Sequence, residues 1–134
     1  MPFSAAQMYA LVNDIESYAE FLPWCSQSTV LEKSEQQIKA SLNIAYGSLN
    51  KSFTTLNKLT PNLKIEMQLV DGPFKKLQGE WQFTQLGEDG CKVNLDLEFE
   101  FKSKIIGVTM GPIFSQIANT LVDSFSERAN KVYA

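Results

Sequence analysis

Residue types that commonly carry out chemistry are scarce in this sequence. Its 134 residues include no histidine, and its two cysteines, Cys25 and Cys91, lie far apart in the chain. A Ser-His-Asp or Cys-His catalytic arrangement and a His-ligated zinc or iron site each require an imidazole, so the sequence excludes them. It contains no glycine-rich phosphate-binding loop of the dinucleotide or P-loop type. We therefore expect no metal site and no resident cofactor.

Carboxylates are the remaining candidates for acid–base catalysis, and their spacing argues against that role. Asp96, Glu98 and Glu100 alternate with apolar residues, a pattern typical of a strand that turns one face to solvent. We expect these three side chains to be solvated, and we predict that the protein is not an enzyme. A cyclase or hydrolase that uses a carboxylate inside a cavity is the weakest of the alternatives.

Composition and charge indicate an ordinary globular protein. Hydrophobic residues make up 44% of the chain and charged residues 20%, as is common in soluble domains. We expect a single domain spanning residues 1–134, cytoplasmic and with reduced cysteines, because the sequence shows neither a signal peptide nor an apolar stretch long enough to span a bilayer. The net charge of -3 disfavours nonspecific nucleic-acid binding, which needs a basic surface.

Six segments with alternating apolar and polar residues predict the strands of a sheet. The connections between them are short and carry turn residues, such as Asp-Gly-Pro at residues 71–73, so neighbouring strands must run antiparallel. The predicted strands are residues 28–35, 37–45, 48–59, 63–70, 76–85 and 91–102.

Helices are predicted at both ends of the chain. Ser4 and Gln7 have the spacing of a capping box, which begins an N-terminal helix, and a short second helix is expected to end before Pro23. Residues 103–110 are predicted to form a loop, after which Pro112 stands in the first turn of a long helix. The expected fold is α+β, a curved antiparallel sheet of about six strands wrapped around the C-terminal helix, with a short helical pair at the N terminus.

The widths of sheet and helix predict a cavity. Six strands make a sheet roughly 25–30 Å wide, whereas one helix with its side chains covers about 10–12 Å. We expect a gap of about 300–1,000 Å³ in which an apolar ligand binds, with Gly79 adding space above its strand. The predicted wall consists of Phe74, Leu77, Trp81, Phe83, Leu97, Phe99, Phe114, Ile117 and Leu121.

Two further groups of residues bear on that cavity. Phe21, Leu22 and Trp24 follow the N-terminal helical pair. As an exposed apolar cluster they form a lid or membrane-touching rim, and the alternative is ordinary packing at the cavity mouth. Inward-facing polar side chains either serve the structure or donate a hydrogen bond to a ligand carbonyl. The candidates for that donation are Tyr18, Tyr46 and Thr55.

Several local motifs resemble those of a known family. The most specific are Phe-Leu-Pro-Trp-Cys at residues 21–25 and, along residues 72–83, Gly-Pro-Phe followed by Leu and Gly-Glu-Trp-x-Phe. Pro-Phe-Ser-Ala at residues 2–5 and Phe-Ser-Glu-Arg-Ala at residues 125–129 extend the similarity over essentially the whole chain. The sequence resembles the coenzyme-Q-binding START-domain family, a branch of the polyketide-cyclase-like helix-grip proteins, and the resemblance implies their fold.

The resemblance implies two functions, because bacterial members of the family include ubiquinone-binding proteins and a ribosome-association toxin. The first implies non-enzymatic binding of a polyprenyl quinone such as ubiquinone, or of another lipid, in support of respiration, with transient contact at the inner membrane. The second implies binding to the large ribosomal subunit and a block on subunit joining. Basic pairs at residues 75–76 and 102–104 are available to meet phosphate, or they are ordinary solvated charges.

The family pattern also differs from this sequence at the N terminus. It has a further strand, of about ten residues, before the segment that begins at Pro2, and this sequence starts at Met1. In the helix-grip arrangement that strand pairs with residues 91–102. The resemblance thus implies either that the start of this sequence is misassigned or that the sheet has an unpaired edge. In the second case we predict self-association through that edge, or a shift of the C-terminal helix and of the 103–110 loop that shields it.

Overall fold

The computed structural model describes residues 2–46 and 49–133, except for the side chains of Tyr46 and Leu49. Its six strands follow one another in sequence order in one antiparallel sheet, which confirms the predicted sheet. The predicted start of the third strand, at residue 48, lies outside the described residues. The strands are β1 (Cys25–Lys33), β2 (Gln37–Tyr46), β3 (Leu49–Thr60), β4 (Lys64–Asp71), β5 (Phe74–Leu86) and β6 (Gly90–Phe101).

The N-terminal helical pair is also confirmed. Helix α1 (Ala5–Asn13) begins at Ser4, whose Oγ accepts a hydrogen bond from the Gln7 N–H (3.1 Å). Gln7 Oε1 accepts in turn from the Ser4 N–H (2.9 Å), which completes the predicted capping box. A 3₁₀ turn (Ile15–Ser17) then leads into the short helix α2 (Tyr18–Phe21).

The C-terminal helix begins earlier than predicted. Helix α3 spans Lys104–Tyr133, so the predicted loop over residues 103–110 is wrong. The hydroxyl of Ser103 lies just before the helix and accepts a hydrogen bond from the Ile105 N–H (3.2 Å). A serine in this position satisfies one of the backbone donors that every helix leaves unpaired at its start.

Pro112 consequently lies inside α3 rather than in its first turn. A proline in a helix interior costs about 3 kcal/mol, because it removes one hydrogen bond and its ring crowds the preceding turn. Met110 and Phe114, on either side of it, are both buried, and each buried side chain of this size contributes about 1.5–3 kcal/mol. Packing against the sheet therefore keeps the helix continuous through the proline.

The N-terminal helices share with α3 the covering of the sheet. Met8 and Val12 of α1 belong to one core cluster with Trp81 of β5 and with Phe125 of α3. A second cluster joins α3 to the other half of the sheet and contains Leu22, Phe53, Phe74, Met110, Phe114 and Ile117. Because two helical segments cover the sheet, the gap expected beneath a single helix is reduced.

Strand β6 forms one edge of the sheet, since among the described residues it pairs only with β5. Its outer face carries the exposed side chains of Asp96, Glu98 and Glu100, as predicted. Lys76 Nζ lies 2.7 Å from Glu98 Oε2 on this face. These carboxylates therefore lie on the side of the sheet that faces away from α3.

Candidate functional site

A cavity of about 80 Å³ lies between the inner face of the sheet and α3. This volume is several times the minimum that a cavity needs to hold one water molecule. The cavity is nevertheless smaller than the predicted pocket of about 300–1,000 Å³. Part of the predicted wall does line it: Leu77, Trp81, Leu97, Phe114, Ile117 and Leu121. Their contact with a ligand stays a prediction.

The other three predicted wall residues stand behind this lining. Phe74 is fully buried and packs edge-on against Phe114, with 5.1 Å between ring centroids. Phe99 lies 4.7 Å from the same Phe114 ring. Phe83 stacks on Trp81 at 6.4 Å, within the cluster formed with α1. These rings support the lining aromatic side chains without contributing to the cavity surface.

The predicted rim is closed in this structure. Leu22 is 1% exposed and Trp24 is 8% exposed, so the expectation of an exposed apolar lid is wrong for these two residues, and Trp24 instead lines the cavity. Phe21 is half-buried, with its ring 5.3 Å from the Phe125 ring and the Arg128 guanidinium carbon 5.0 Å from its centroid. All three side chains pack against other residues of the protein, as the packing alternative expects, and of the three only Trp24 lines the cavity.

Several lining residues were not predicted from the sequence. They come mainly from β2 and β3, which are neighbours in the sheet. Their inward-facing residues lie side by side, as in the pairs Ala40–Thr55 and Ile38–Asn57. The apolar alternation of β2 is visible in the sequence, but polar residues interrupt the alternation of β3. The unpredicted lining residues include Ile44, Phe53, Asn57, Met67 and Phe125.

Gly79 does not create space above its strand, contrary to the prediction. A Cβ at this position would lie 2.8 Å from Leu97 Cδ1 and 2.8 Å from Met67 Cε. Those two side chains, from the strands on either side, fill the volume that the glycine leaves open. The glycine therefore permits tight packing across β4, β5 and β6 rather than a cavity.

Two polar side chains of β3 lie on the otherwise apolar cavity wall. Thr55 and Asn57 are 8% and 7% exposed, and the Thr55 hydroxyl donates a hydrogen bond to Asn57 Oδ1 at 3.0 Å. Tyr18 also lines the cavity, but its hydroxyl donates to the Val12 carbonyl. The side chain of Tyr46, the third predicted donor, lies outside the described residues.

The electrostatics of the cavity are those of an uncharged site. Among the described residues that line it there is no Asp, Glu, Lys or Arg. Burial raises the pKa of the Tyr18 phenol, which therefore stays neutral at physiological pH. Across residues 2–46 and 49–133, no group of three or more His, Cys, Asp or Glu side chains is placed to hold a metal ion.

A groove of about 340 Å³ on the surface adjoins the cavity. It runs between the exit of α2 and the middle of α3, where Pro23 and Pro112 contribute to its walls. Trp24 and Ile117 line both the groove and the cavity. The two spaces are therefore neighbours, with these two side chains between them.

Helix α3 is long and apolar enough to cross a membrane by length and composition, a criterion that core helices of soluble proteins also meet. In this fold it packs on the sheet through Phe114, Ile117 and Phe125. Its first two turns are less covered, with Ile105 80% exposed and Val108 79% exposed.

Residues 1–126 match the family model described as polyketide cyclase / dehydrase and lipid transport. Over 133 residues the chain is 50% identical to a Pseudomonas aeruginosa protein named ribosome association toxin RatA, covering 99% of this chain and 92% of that protein. Over 137 residues it is 28% identical to the mitochondrial coenzyme Q-binding protein COQ10 of Dictyostelium discoideum, covering 99% of this chain and 67% of that protein.

A solved structure supports the fold independently. The Zhui aromatase/cyclase from Streptomyces sp. R1128 matches with a TM-score of 0.86, over 99% of this chain and 90% of that chain. The sequence identity is 14%, so this likeness concerns the fold alone. It confirms the predicted helix-grip arrangement of a curved antiparallel sheet and a long C-terminal helix.

Proposed function

This chain belongs to the polyketide cyclase / dehydrase and lipid transport family, and on that premise we propose that it binds a hydrophobic small molecule in the cavity beneath α3. The observation that carries the proposal is the cavity of about 80 Å³, which has no charged residue among its described lining side chains. The ligand that fits best is a polyprenyl quinone such as ubiquinone, in line with the coenzyme Q-binding relative.

The size of the cavity constrains how such a ligand sits. Neither a complete polyprenyl quinone nor its substituted ring fits a closed cavity of about 80 Å³, since a cavity of about 150 Å³ holds a benzene molecule. In this proposal the head group therefore enters only when the cavity opens toward the groove. The isoprenoid chain then passes between Trp24 and Ile117 into the groove of about 340 Å³. Rotation of the Trp24 side chain joins the two spaces, and their apolar surface contributes about 25 cal/mol for each Å² buried.

Binding proceeds without chemical turnover in this proposal. Tyr18 is the one titratable side chain among the described lining residues, and its hydroxyl is engaged with the Val12 carbonyl. General acid–base catalysis needs a group whose pKa lies near the working pH. Desolvation moves the pKa of Tyr18 further from neutrality, which supports a binding role over an enzymatic one.

Extraction of the gently purified protein with organic solvent, followed by mass spectrometry, tests this proposal. We expect a quinone to copurify with the wild type and to be lost from Leu121→Glu, which buries a charge in the cavity wall. Val132→Glu is the matched control, since the same change falls at a 48% exposed position of the same helix. Retention of quinone by a folded Leu121→Glu protein would contradict the assigned wall.

Ribosome association is a second candidate, favoured by the relative named ribosome association toxin at 50% identity. We propose that this activity consists of binding to the large ribosomal subunit, which blocks subunit joining. Lys75, Lys102 and Lys104 are exposed near the start of α3 and are available to phosphate. Sedimentation of ribosomes with added protein tests it, with Lys102→Glu/Lys104→Glu against the distant control Lys33→Glu. An unchanged subunit profile would contradict this candidate.

We further propose a cytoplasmic location with peripheral contact at the inner membrane, where a quinone is exchanged. Ile105 and Val108 are exposed apolar side chains beside Lys102 and Lys104, a combination suited to an anionic lipid surface. Cosedimentation with anionic vesicles should be weakened by Ile105→Ser/Val108→Ser and should be absent with neutral vesicles. Equal binding to both vesicle types would contradict the proposal.

A further inference from the structure

Asn57 provides hydrogen-bond donors that no described residue accepts. Its Oδ1 accepts from the Thr55 hydroxyl at 3.0 Å, and this is the single hydrogen bond of the Asn57 side chain among the described residues. The Nδ2 group carries two further N–H donors. Asn57 is only 7% exposed and lines the cavity. Its Nδ2 is not among the fully buried atoms that lack a partner, so the donors are open to a water molecule or a ligand in the cavity.

A donor that faces a largely apolar cavity is satisfied by a molecule inside that cavity, either a water or a ligand. The cross-strand neighbours of Asn57, Ile38 of β2 and Met67 of β4, are uncharged, and the surrounding lining is apolar. The hydroxyl proton of Thr55 is already committed to Asn57 Oδ1. That hydrogen bond fixes which end of the amide is occupied and leaves the donor end for another molecule.

We infer that Asn57, oriented by Thr55, anchors the ligand by donating a hydrogen bond to an uncharged carbonyl oxygen. The site thereby selects neutral carbonyl compounds, of the ketone or quinone class, over hydrocarbons and over carboxylates of equal length. A hydrocarbon leaves the amide donors unpaired, and a carboxylate brings a charge for which no lining residue supplies a counterion. This inference rests on the proposed function and adds the residue that binds the carbonyl group of the ligand.

Three probes with closely similar alkyl tails separate these contributions: a decyl ubiquinone analogue, decylbenzene and decanoate. Trp24 and Trp81 line the cavity, so quenching or shift of tryptophan fluorescence reports binding. For the wild type we expect the order quinone, then decylbenzene, then decanoate. In Asn57→Leu, affinity for the quinone should fall about three- to tenfold, as for one neutral hydrogen bond, while affinity for decylbenzene is unchanged or higher.

Thr55→Val provides the matched test of orientation. It preserves the shape of the side chain and removes the hydroxyl that holds Asn57 Oδ1, so the quinone affinity should fall by less than in Asn57→Leu. Circular dichroism and thermal unfolding establish that each variant is folded. An independent measurement needs no variant: the carbonyl stretch of isotope-labelled quinone should move to lower frequency on binding to the wild type, as expected for a hydrogen-bonded carbonyl.

The outcomes are distinguishable. If the wild type binds neither quinone nor decylbenzene, the proposed function fails and the anchor fails with it. If the wild type binds both, but Asn57→Leu weakens them equally or leaves both unchanged, the anchor alone is overturned. An unshifted carbonyl stretch in the wild-type complex also overturns it, since Asn57 then donates to water or to nothing on the ligand.

Discussion

Replacing Tyr18 by phenylalanine separates a structural hydroxyl from a ligand-binding one. The hydroxyl donates to the Val12 carbonyl, which lies in the last turn of α1, where carbonyls lack helical partners. Among the described residues no other donor reaches this carbonyl. Its loss therefore leaves a shielded acceptor unpaired, at a cost of about 1–2 kcal/mol. The ring contacts remain, including the edge-on contact with Phe125 at 5.3 Å.

For a domain of this size, each kcal/mol corresponds to roughly 3–5 °C in melting temperature. We expect Tyr18→Phe to melt about 3–10 °C below the wild type in a calorimetric scan. Tyr133→Phe is the matched control, because the Tyr133 hydroxyl also donates to a carbonyl of α1, that of Gln7, at 2.9 Å. Gln7 lies within the helix and keeps its backbone partner, so this change should cost less, about 0.5 kcal/mol.

Ligand binding provides the second half of this test. Since the Tyr18 hydroxyl is engaged by the protein, Tyr18→Phe should bind the decyl ubiquinone analogue with wild-type affinity at a temperature where it is folded. A variant as stable as the wild type that has lost quinone affinity would refute the reasoning. It would mean that the hydroxyl serves the ligand and not α1.

Three further predictions follow from other parts of the fold. Gly79→Val should lower the free energy of unfolding, measured in urea, by about 1–3 kcal/mol, because the new side chain overpacks against Leu97 and Met67. Gly111→Ala is the control: its Cβ position has open space around it, so this change should raise the free energy of unfolding by up to about 1 kcal/mol. Equal effects of the two changes would contradict the packing at Gly79. The free energy of unfolding should be constant between about pH 6 and 8, because this chain contains no histidine, and it should decline in acid. The hydrogen bond from Lys76 lowers the pKa of Glu98, so the stabilisation from this pair is complete above the unfolded pKa and is lost as pH falls through the folded pKa. Glu98→Gln should therefore show a shallower decline. The edge strand β6 should support self-association that rises with concentration in sedimentation velocity, and a monomer whose β6 amides exchange slowly would show that the edge is protected.

The sheet was predictable because its signals are local. Most of the strands are indicated by alternating apolar and polar residues, and turn residues such as Gly72 and Gly87, both with positive φ, mark where the chain reverses. The start of α3 was mispredicted for the same reason, since Pro112 looks locally like a first-turn proline. What overrides it is the burial of Met110 and Phe114 against distant strands, which no local pattern contains.

The cavity was predictable in position but not in size or in its full lining. Its size depends on how far α1 reaches over β5 and β6, as in the contact between Tyr9 and Phe83 at 5.7 Å, and on Leu97 and Met67 filling the space at Gly79. Of the β3 residues that line the cavity, Thr55 was expected to face inward, whereas Asn57 was missed because it is a polar residue at an inward position. Polar residues normally face solvent, so the sequence pattern does not identify a polar side chain such as Asn57 that faces the cavity.

The two buried thiols can report local opening of the folded protein through their rates of alkylation. Cys25 belongs to the core cluster around the cavity, and Cys91 belongs to the cluster beneath α1. Burial raises the pKa of both thiols, so at neutral pH little thiolate meets an alkylating reagent until the surrounding structure opens. The alkylation rate of Cys25 therefore measures how often the core around the cavity opens, and the alkylation rate of Cys91 measures how often α1 separates from the sheet. A ligand bound in the cavity should slow the alkylation of Cys25 and leave the alkylation rate of Cys91 unchanged.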